Sequence, residues 1–298
     1  MTDGKDLHAA LVKSALGYRE QVPVFRIEQP DLQKSEAFAR SLLNLVWNQF
    51  GDCRIVLQPV RGVIARVALP NSGRLDVFHP SGAIAAIMQP SPTRKPMASD
   101  ETKVDRKPLT HLAKQAAEKI AASVIGPNEE LRGETLWELK GQGVTLRGEK
   151  SRIALFEVVG GFRRYLHGLP VLGRASIHVG IGENSQLVRW GIDWRAVQKA
   201  PFAQAKVISP EEGAQRVLDD LWGRRPERPF TSKDFELKRF MLGYVSLSRR
   251  RQQFVMQPAW VAVLAPRAGM SMGHVVAVPA APQAFEPIGG AAGLPSIA

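Results

Sequence analysis

The sequence is poor in the residues that most often announce a chemistry. It holds one cysteine and six histidines in 298 residues. One cysteine excludes an internal disulfide framework and a cysteine-rich zinc module. No HExxH, CxxC or closely spaced histidine pair occurs, so no metal site is expected. No GxxxxGK[ST] or GxGxxG occurs either, and Gly180-Ile-Gly182 ends a strand with no helix after it. No GxSxG is present, and Cys53 lacks an electropositive helix start that would activate it. Long apolar runs are also missing. No window approaches the roughly 18 apolar residues of a membrane-spanning helix. The first twenty residues are broken by Lys5, Lys13, Arg19 and Glu20, unlike the apolar core of a secretory signal. A cytoplasmic protein with no transmembrane segment is the expectation from these residues.

What is present describes a globular chain. Apolar residues make up 44% of it, which excludes wholesale disorder. Lys and Arg exceed Asp and Glu by 40 to 28, a net charge of +12. The excess clusters at Arg163-Arg164, Arg224-Arg225 with Arg228, Lys238-Arg239 and Arg249-Arg250-Arg251. Such clusters attract phosphates and nucleic acid at low salt. Yet no nucleic-acid-binding motif accompanies them, and hairpin tips and helix ends are where solvated arginine collects. The carboxylate pairs Glu129-Glu130, Glu211-Glu212 and Asp219-Asp220 read as solvated, and the histidines as ordinary polar residues.

Hydrophobic periodicity divides the chain into an N-terminal half over 1–88, a linker over 89–108, a C-terminal half over 109–267 and a tail over 268–298. The linker carries four prolines and few large apolar side chains. The tail is rich in Gly, Pro and Ala, with a short strand at His274–Val278. In the first half, Pro23–Ile27 alternates as a strand, and Ser35–Phe50 reads as a helix with Phe38, Leu42, Leu45 and Val46 on one stripe, capped by Ser35 and stopped by Gly51. Arg54–Leu57 and Val60–Leu69 read as strands, and Leu75–Phe78 and Ile84–Met88 as a hairpin around Pro80-Ser-Gly82.

The second half repeats the layout. Leu109–Ile125 is a helix with Leu112, Ala116, Ile120 and Val124 in register. Thr135–Leu139, Val144–Arg147 and Arg152–Val159 read as strands, with Gly160-Gly161 as a bulge or bend between strands. Ala175, Ile177, Val179 and Ile181 form the apolar face of the next strand, with His178 and Gly180 on the other. Trp190 and Trp194 read as core. Ser209-Pro-Glu-Glu212 opens a further helix with a capping box. Phe235–Leu247 and Gln252–Leu264 form a strand pair around the tip Ser248–Arg251. Single helices, each followed by antiparallel strands, define an α+β fold with helices packed on antiparallel sheets.

Over about 150–265 the sequence resembles the PepSY-like group. The resemblance rests on Tyr165-Leu-His-Gly-Leu-Pro-Val-Leu-Gly173, on Ile208-Ser-Pro-Glu-Glu-Gly-Ala214, and on Leu242-Gly-Tyr244 with Gln257-Pro-Ala-Trp260. Val24–Ile27, Glu36-Ala37 and the helix after them look like a preceding repeat. The group includes the propeptides of thermolysin-type peptidases and the extracytoplasmic YycH/YycI-type regulators of a cell-envelope histidine kinase. The resemblance implies two PepSY-like (cystatin-like) halves and a role in inhibition, chaperoning or regulation through surfaces. It carries no catalytic, cofactor-binding or metal-binding residue. Gly168 and Gly173 bracket Pro170 in a structural turn, to which Tyr244 belongs, and the hairpin-tip residues Arg249, Arg250 and Arg251 are the expected contacts to a partner protein. Three readings follow: a non-catalytic protein-binding regulator, inhibitor or assembly factor; a basic module for nucleic acid or another anionic polymer; and an enzyme on an unfamiliar α+β frame.

Overall fold

The computed structural model describes residues 2–46, 58–60, 64–69, 73–88, 95–173, 175–224, 234–267 and 273–288. Cys53, the strand at Arg54–Leu57, the helix stop at Gly51, and Arg225 and Arg228 lie outside these residues. The described elements begin with α1 (Thr2–Lys13), β1 (Ala15–Leu16), β2 (Gln21–Arg26) and α2 (Leu32–Val46). The strands β3 (Gln58–Val60), β4 (Ile64–Ala68), β5 (Arg74–Phe78) and β6 (Ala83–Ile87) come next. Then come α3 (Arg106–Ala121), β7 (Glu129–Gly141), β8 (Ala154–Leu166), β9 (Leu169–Gly173), β10 (Ser176–Ile181) and β11 (Leu187–Ile192). The chain continues with β12 (Ala203–Lys206), α4 (Pro210–Arg224), β13 (Phe235–Ser246), β14 (Val255–Met256), β15 (Pro258–Pro266) and β16 (His274–Pro279). The fold is α+β, and its sheets are mostly antiparallel. No helix among the described residues is long and apolar enough to cross a membrane.

Contacts divide the chain into two compact units. One unit comprises Met1–Glu28, Leu166–Arg174 and Ala196–Ala298. In it β16, β15, β13 and β9 lie side by side, with β13 parallel to β9 and antiparallel to β15. A small sheet joins β12, β2 and β14. Helix α4 begins as its capping box requires, with the Glu212 amide donating to Ser209 Oγ at 3.3 Å. Its buried stripe is Ala214, Val217, Leu218 and Leu221. Gly213 lets the helix approach Trp260, because a Cβ there would sit 2.5 Å from the indole. Trp260 stacks on Phe240 at 4.7 Å between ring centres, and its Nε1 donates to the Ile208 carbonyl at 3.3 Å.

Two sequence expectations in this unit need correction. The segment 252–264 is not one strand returning from a tip at Ser248–Arg251. Its first part is β14, which pairs Val255 and Met256 with Arg26 and Phe25 of β2. Buried Gln253 holds this departure by donating to the Val245 and Val255 carbonyls and accepting from the Leu247 amide. In the described part of the tail the expected strand at His274 forms. β16 pairs along β15, and Glu286 then accepts from the amides of Phe254 and Val255. Finally, Pro170 lies within β9 rather than in a turn. The tight turn is His167-Gly168, with φ of 50° and 74°.

The other unit comprises Gln29–Tyr165 and Ala175–Arg195. Its sheet runs β8, β10, β11, β6, β5, β4, β3, antiparallel throughout, with β7 also on β8. The alternation in β10 is as expected: Ala175, Ile177, Val179 and Ile181 are all buried. Helix α3 lies on that face with Leu109, Ala113, Ala117 and Ile120 buried, while Leu112, Ala116 and Val124 pack at the margin. Leu109 and Ile120 are each worth roughly 1.5–3 kcal/mol when fully buried, and the alanines less than about 1 kcal/mol each. Trp190 and Trp194 belong to the same core.

The segment 95–108 falls inside this unit. Its backbone bonds to β8 and its approach, through Met97 to Leu155 at 2.7 Å and Glu101 to Ile153 at 3.0 Å. Met97 and Val104 pack on the core. Asp105 caps α3 by accepting from the Lys107 amide at 3.0 Å, so the helix begins three residues before Leu109. Gly160 and Gly161 lie inside β8 rather than at a bend, opposite Val179 and His178.

Candidate binding groove

A trough of about 780 Å³ runs between α3 and the strands β7 and β8. Small residues create it. Gly160 brings β8 close to α3, since a Cβ there would stand 3.1 Å from that of Ala113. Ala121, Ala122 and Gly133 leave the remaining space unfilled. Leu131 and Phe162 supply an apolar floor. At the edge, Ile125 and Leu136 are 39% and 46% exposed. Among the described residues, the charged ones along the trough are Lys114 and Glu118, one helical turn apart and 3.8 Å from each other.

Strand β7 forms the outer wall, and β8 is its neighbour among the described strands. A Cβ on Gly133 would meet Phe162, whereas Thr135 lies against Gly161. Phe162 and Gly161 are adjacent in β8 and point to opposite sides. The alternation of β7 therefore slips between Gly133 and Thr135, as at a β-bulge. A bulge of this kind twists an exposed edge and limits edge-to-edge aggregation.

Both ends of β7 are fastened by charge. At its start Glu129 forms a buried ion pair with Arg164, whose side chain is fully enclosed. Glu129 Oε2 also accepts from Trp194 Nε1 at 3.2 Å and from the Gly126 amide at 3.0 Å. Arg164 donates to the Arg195 carbonyl at 2.7 Å and lies 4.7 Å from the centre of the Trp194 ring. Burial draws the Arg164 pKa down, and Glu129 opposes that. This corrects two expectations, because Arg164 and Glu129 are not solvated. Towards the other end, Arg106 Nε donates to Glu138 Oε1 at 2.8 Å, and Lys140 Nζ pairs with Glu138 Oε2 at 2.8 Å. Glu101 joins both cations. Hydrogen bonds from Arg106 and Lys140 hold the Glu138 carboxyl below its usual range.

The opposite face of this sheet is polar, and its glycines make room for neighbouring side chains. Gly180 lies under the Glu157 carboxylate and Gly191 under the His178 ring. Glu157 is fully buried and paired with Arg189. Arg66 bonds Asp76 through Nε at 2.6 Å and Nη2 at 3.2 Å. Among the described residues no group of three His, Cys, Asp or Glu is placed to hold a metal ion.

The residues singled out in the sequence lie elsewhere. Tyr244 is fully buried, donates to the Pro23 carbonyl at 2.9 Å, and has its pKa raised by desolvation. Gly168 and Gly173 both have positive φ, 74° and 86°, which favours glycine. Arg249, Arg250 and Arg251 occupy the turn after β13, with Arg250 and Arg251 exposed. None of these seven residues lines the trough. Sequence reasoning missed the groove because its signal is one of small size: Gly133, Gly160, Ala121 and Ala122 read as ordinary strand and helix residues.

No family model and no curated protein matches the sequence. Solved structures do. An uncharacterized protein from Eubacterium rectale is 12% identical with a TM-score of 0.50, over 96% of this chain and 99% of that one. The Bacillus megaterium YpeB C-terminal domain is 10% identical with a TM-score of 0.37, over 86% and 95%. The first likeness is one of fold alone.

Proposed function

We propose that this protein is a non-catalytic binding module that works by protein–protein contact, as a regulator, inhibitor or assembly factor. The observation that carries this reading is the trough between α3 and β7–β8. Its size falls within the range of specific ligand sites, and its walls are apolar. Exposed Ile125 and Leu136 line its margin, and exposed large apolar residues gathered at one place are a mark of interaction surfaces. The titratable groups buried nearby are already engaged: Glu129 with Arg164, and Glu157 with Arg189. They hold the frame rather than face a reactant. The PepSY-like segment and helix start, Gly168–Gly173 and Ser209–Glu212, support the same reading, since proteins of that group act through surfaces.

The test is photocrosslinking in the native host. A benzophenone side chain at Leu136 should trap one defined protein, while the same group at exposed Arg250 should not. Crosslinks concentrated at Arg250, with none at Leu136, would move the contact surface to the arginine turn and refute the groove.

A further inference from the structure

The trough does not end at Thr110. A second depression of about 370 Å³, lined by Arg106, Lys107, Thr110, His111 and Lys114, shares Thr110 and Lys114 with it. The two form one channel along α3, apolar near Ile125 and basic near Lys107. Helical rise over the 14 residues from Lys107 to the end of α3 at Ala121 gives about 21 Å, and the turn that carries Ile125 lies beyond it. An extended chain covers that distance with roughly six residues.

The basic end is not neutralised from within. Arg106 is committed to Glu101 and Glu138. Lys107 makes no ion pair among the described residues, and Lys114 has only the 3.8 Å contact to Glu118, with both side chains more than half exposed. Such an exposed pair is weak and readily exchanged for another partner. His111 shares a 3.0 Å hydrogen bond with Gln115 and adds a further polar group.

We infer that the channel takes an extended peptide segment of the partner, about six residues or more in length, with apolar side chains at one end and Asp or Glu at the other. This inference rests on the protein-binding reading above and names the chemistry of the partner. The apolar residues would lie over Leu131, Phe162 and Leu136. The carboxylates would lie beside Lys114 and Lys107. Charge complementarity fixes the direction of the segment along α3.

A displayed library of random ten-residue peptides, selected on the full chain, tests this. Enriched peptides should carry an apolar block and an acidic block in one constant order. The double variant Lys107→Glu/Lys114→Glu, both exposed sites, should lose at least tenfold in affinity for those peptides and enrich basic ones instead. Enrichment without acidic bias, or affinity unmoved by charge reversal, overturns the inference. So does failure to enrich any peptide, or saturable binding of dodecanoate vesicles at the channel in place of peptides. In those cases a crosslink from Leu136 to a folded partner would still uphold the protein-binding reading, and its absence would remove both.

Discussion

Removing Glu129 should loosen the unit that carries the groove far more than removing any exposed carboxylate. Its side chain is 3% exposed and that of Arg164 is 0% exposed, so neither charge has water to fall back on. In Glu129→Ala the guanidinium keeps the Arg195 carbonyl but loses its counter-ion, and its Nε already has no partner among the described residues. Trp194 Nε1 and the Gly126 amide lose their acceptor as well. Breaking a buried pair in this way costs about 3–5 kcal/mol. The chain has two contact units, so a single melting curve would blend them. Hydrogen exchange separates them. Amides of β8 and β10 should lose roughly two to four decades of protection, at about 1.4 kcal/mol per decade, while those of β13 and β15 serve as the internal control. Replacing both partners, as Glu129→Leu/Arg164→Met, should recover most of the loss, because an apolar pair has no stranded charge. A change below tenfold in Glu129→Ala, or a double variant as damaged as the single one, would refute the reasoning.

Two further outcomes follow from other parts of the fold. His167 lies 5.2 Å from Phe25, and its pKa is lowered by burial and then by Arg19. The unfolded chain therefore binds a proton more readily, so this contribution is present above about pH 6.5 and is lost as pH falls through the lower folded value. His167→Gln should flatten the stability profile on the acid side of pH 6.5, and an unchanged slope in urea titrations would contradict it. Gly180→Ala would force a methyl group into the Glu157 carboxylate and displace it from Arg189. The expected loss is about 1–3 kcal/mol, read from urea unfolding followed by tryptophan fluorescence, and a neutral result would show that Glu157 can move without cost.

Much of the fold was legible from apolar spacing. The face made by Ile177, Val179 and Ile181, the Ser209 cap, the buried stripe of α4 and the core tryptophans all follow from periods of two and 3.6, which the backbone imposes. The strand at His274 was legible for the same reason. The corrections arise where long-range pairing decides. Nothing local tells that Val255 and Met256 join β2, more than two hundred residues away. Proline and charge over 95–108 suggest a free linker, yet Met97 and Val104 find a core and the backbone finds β8. Arg163 and Arg164 look alike in sequence. Alternation sends them to opposite faces, and only the fold supplies Glu129 to the second. The groove escaped notice because an empty volume has no residue of its own.

The most direct test of the account is the affinity of the partner trapped from Leu136, measured with purified proteins by calorimetry for the native chain and for Leu136→Asp. Leu136 is about half exposed, so the change should leave the unfolding midpoint nearly untouched while removing an apolar contact and placing a charge in the trough. The account predicts at least a tenfold loss of affinity, about 1.4 kcal/mol. Binding within twofold of the native value, with the fold intact, would show that the trough between α3 and β7–β8 is not where this protein holds its partner.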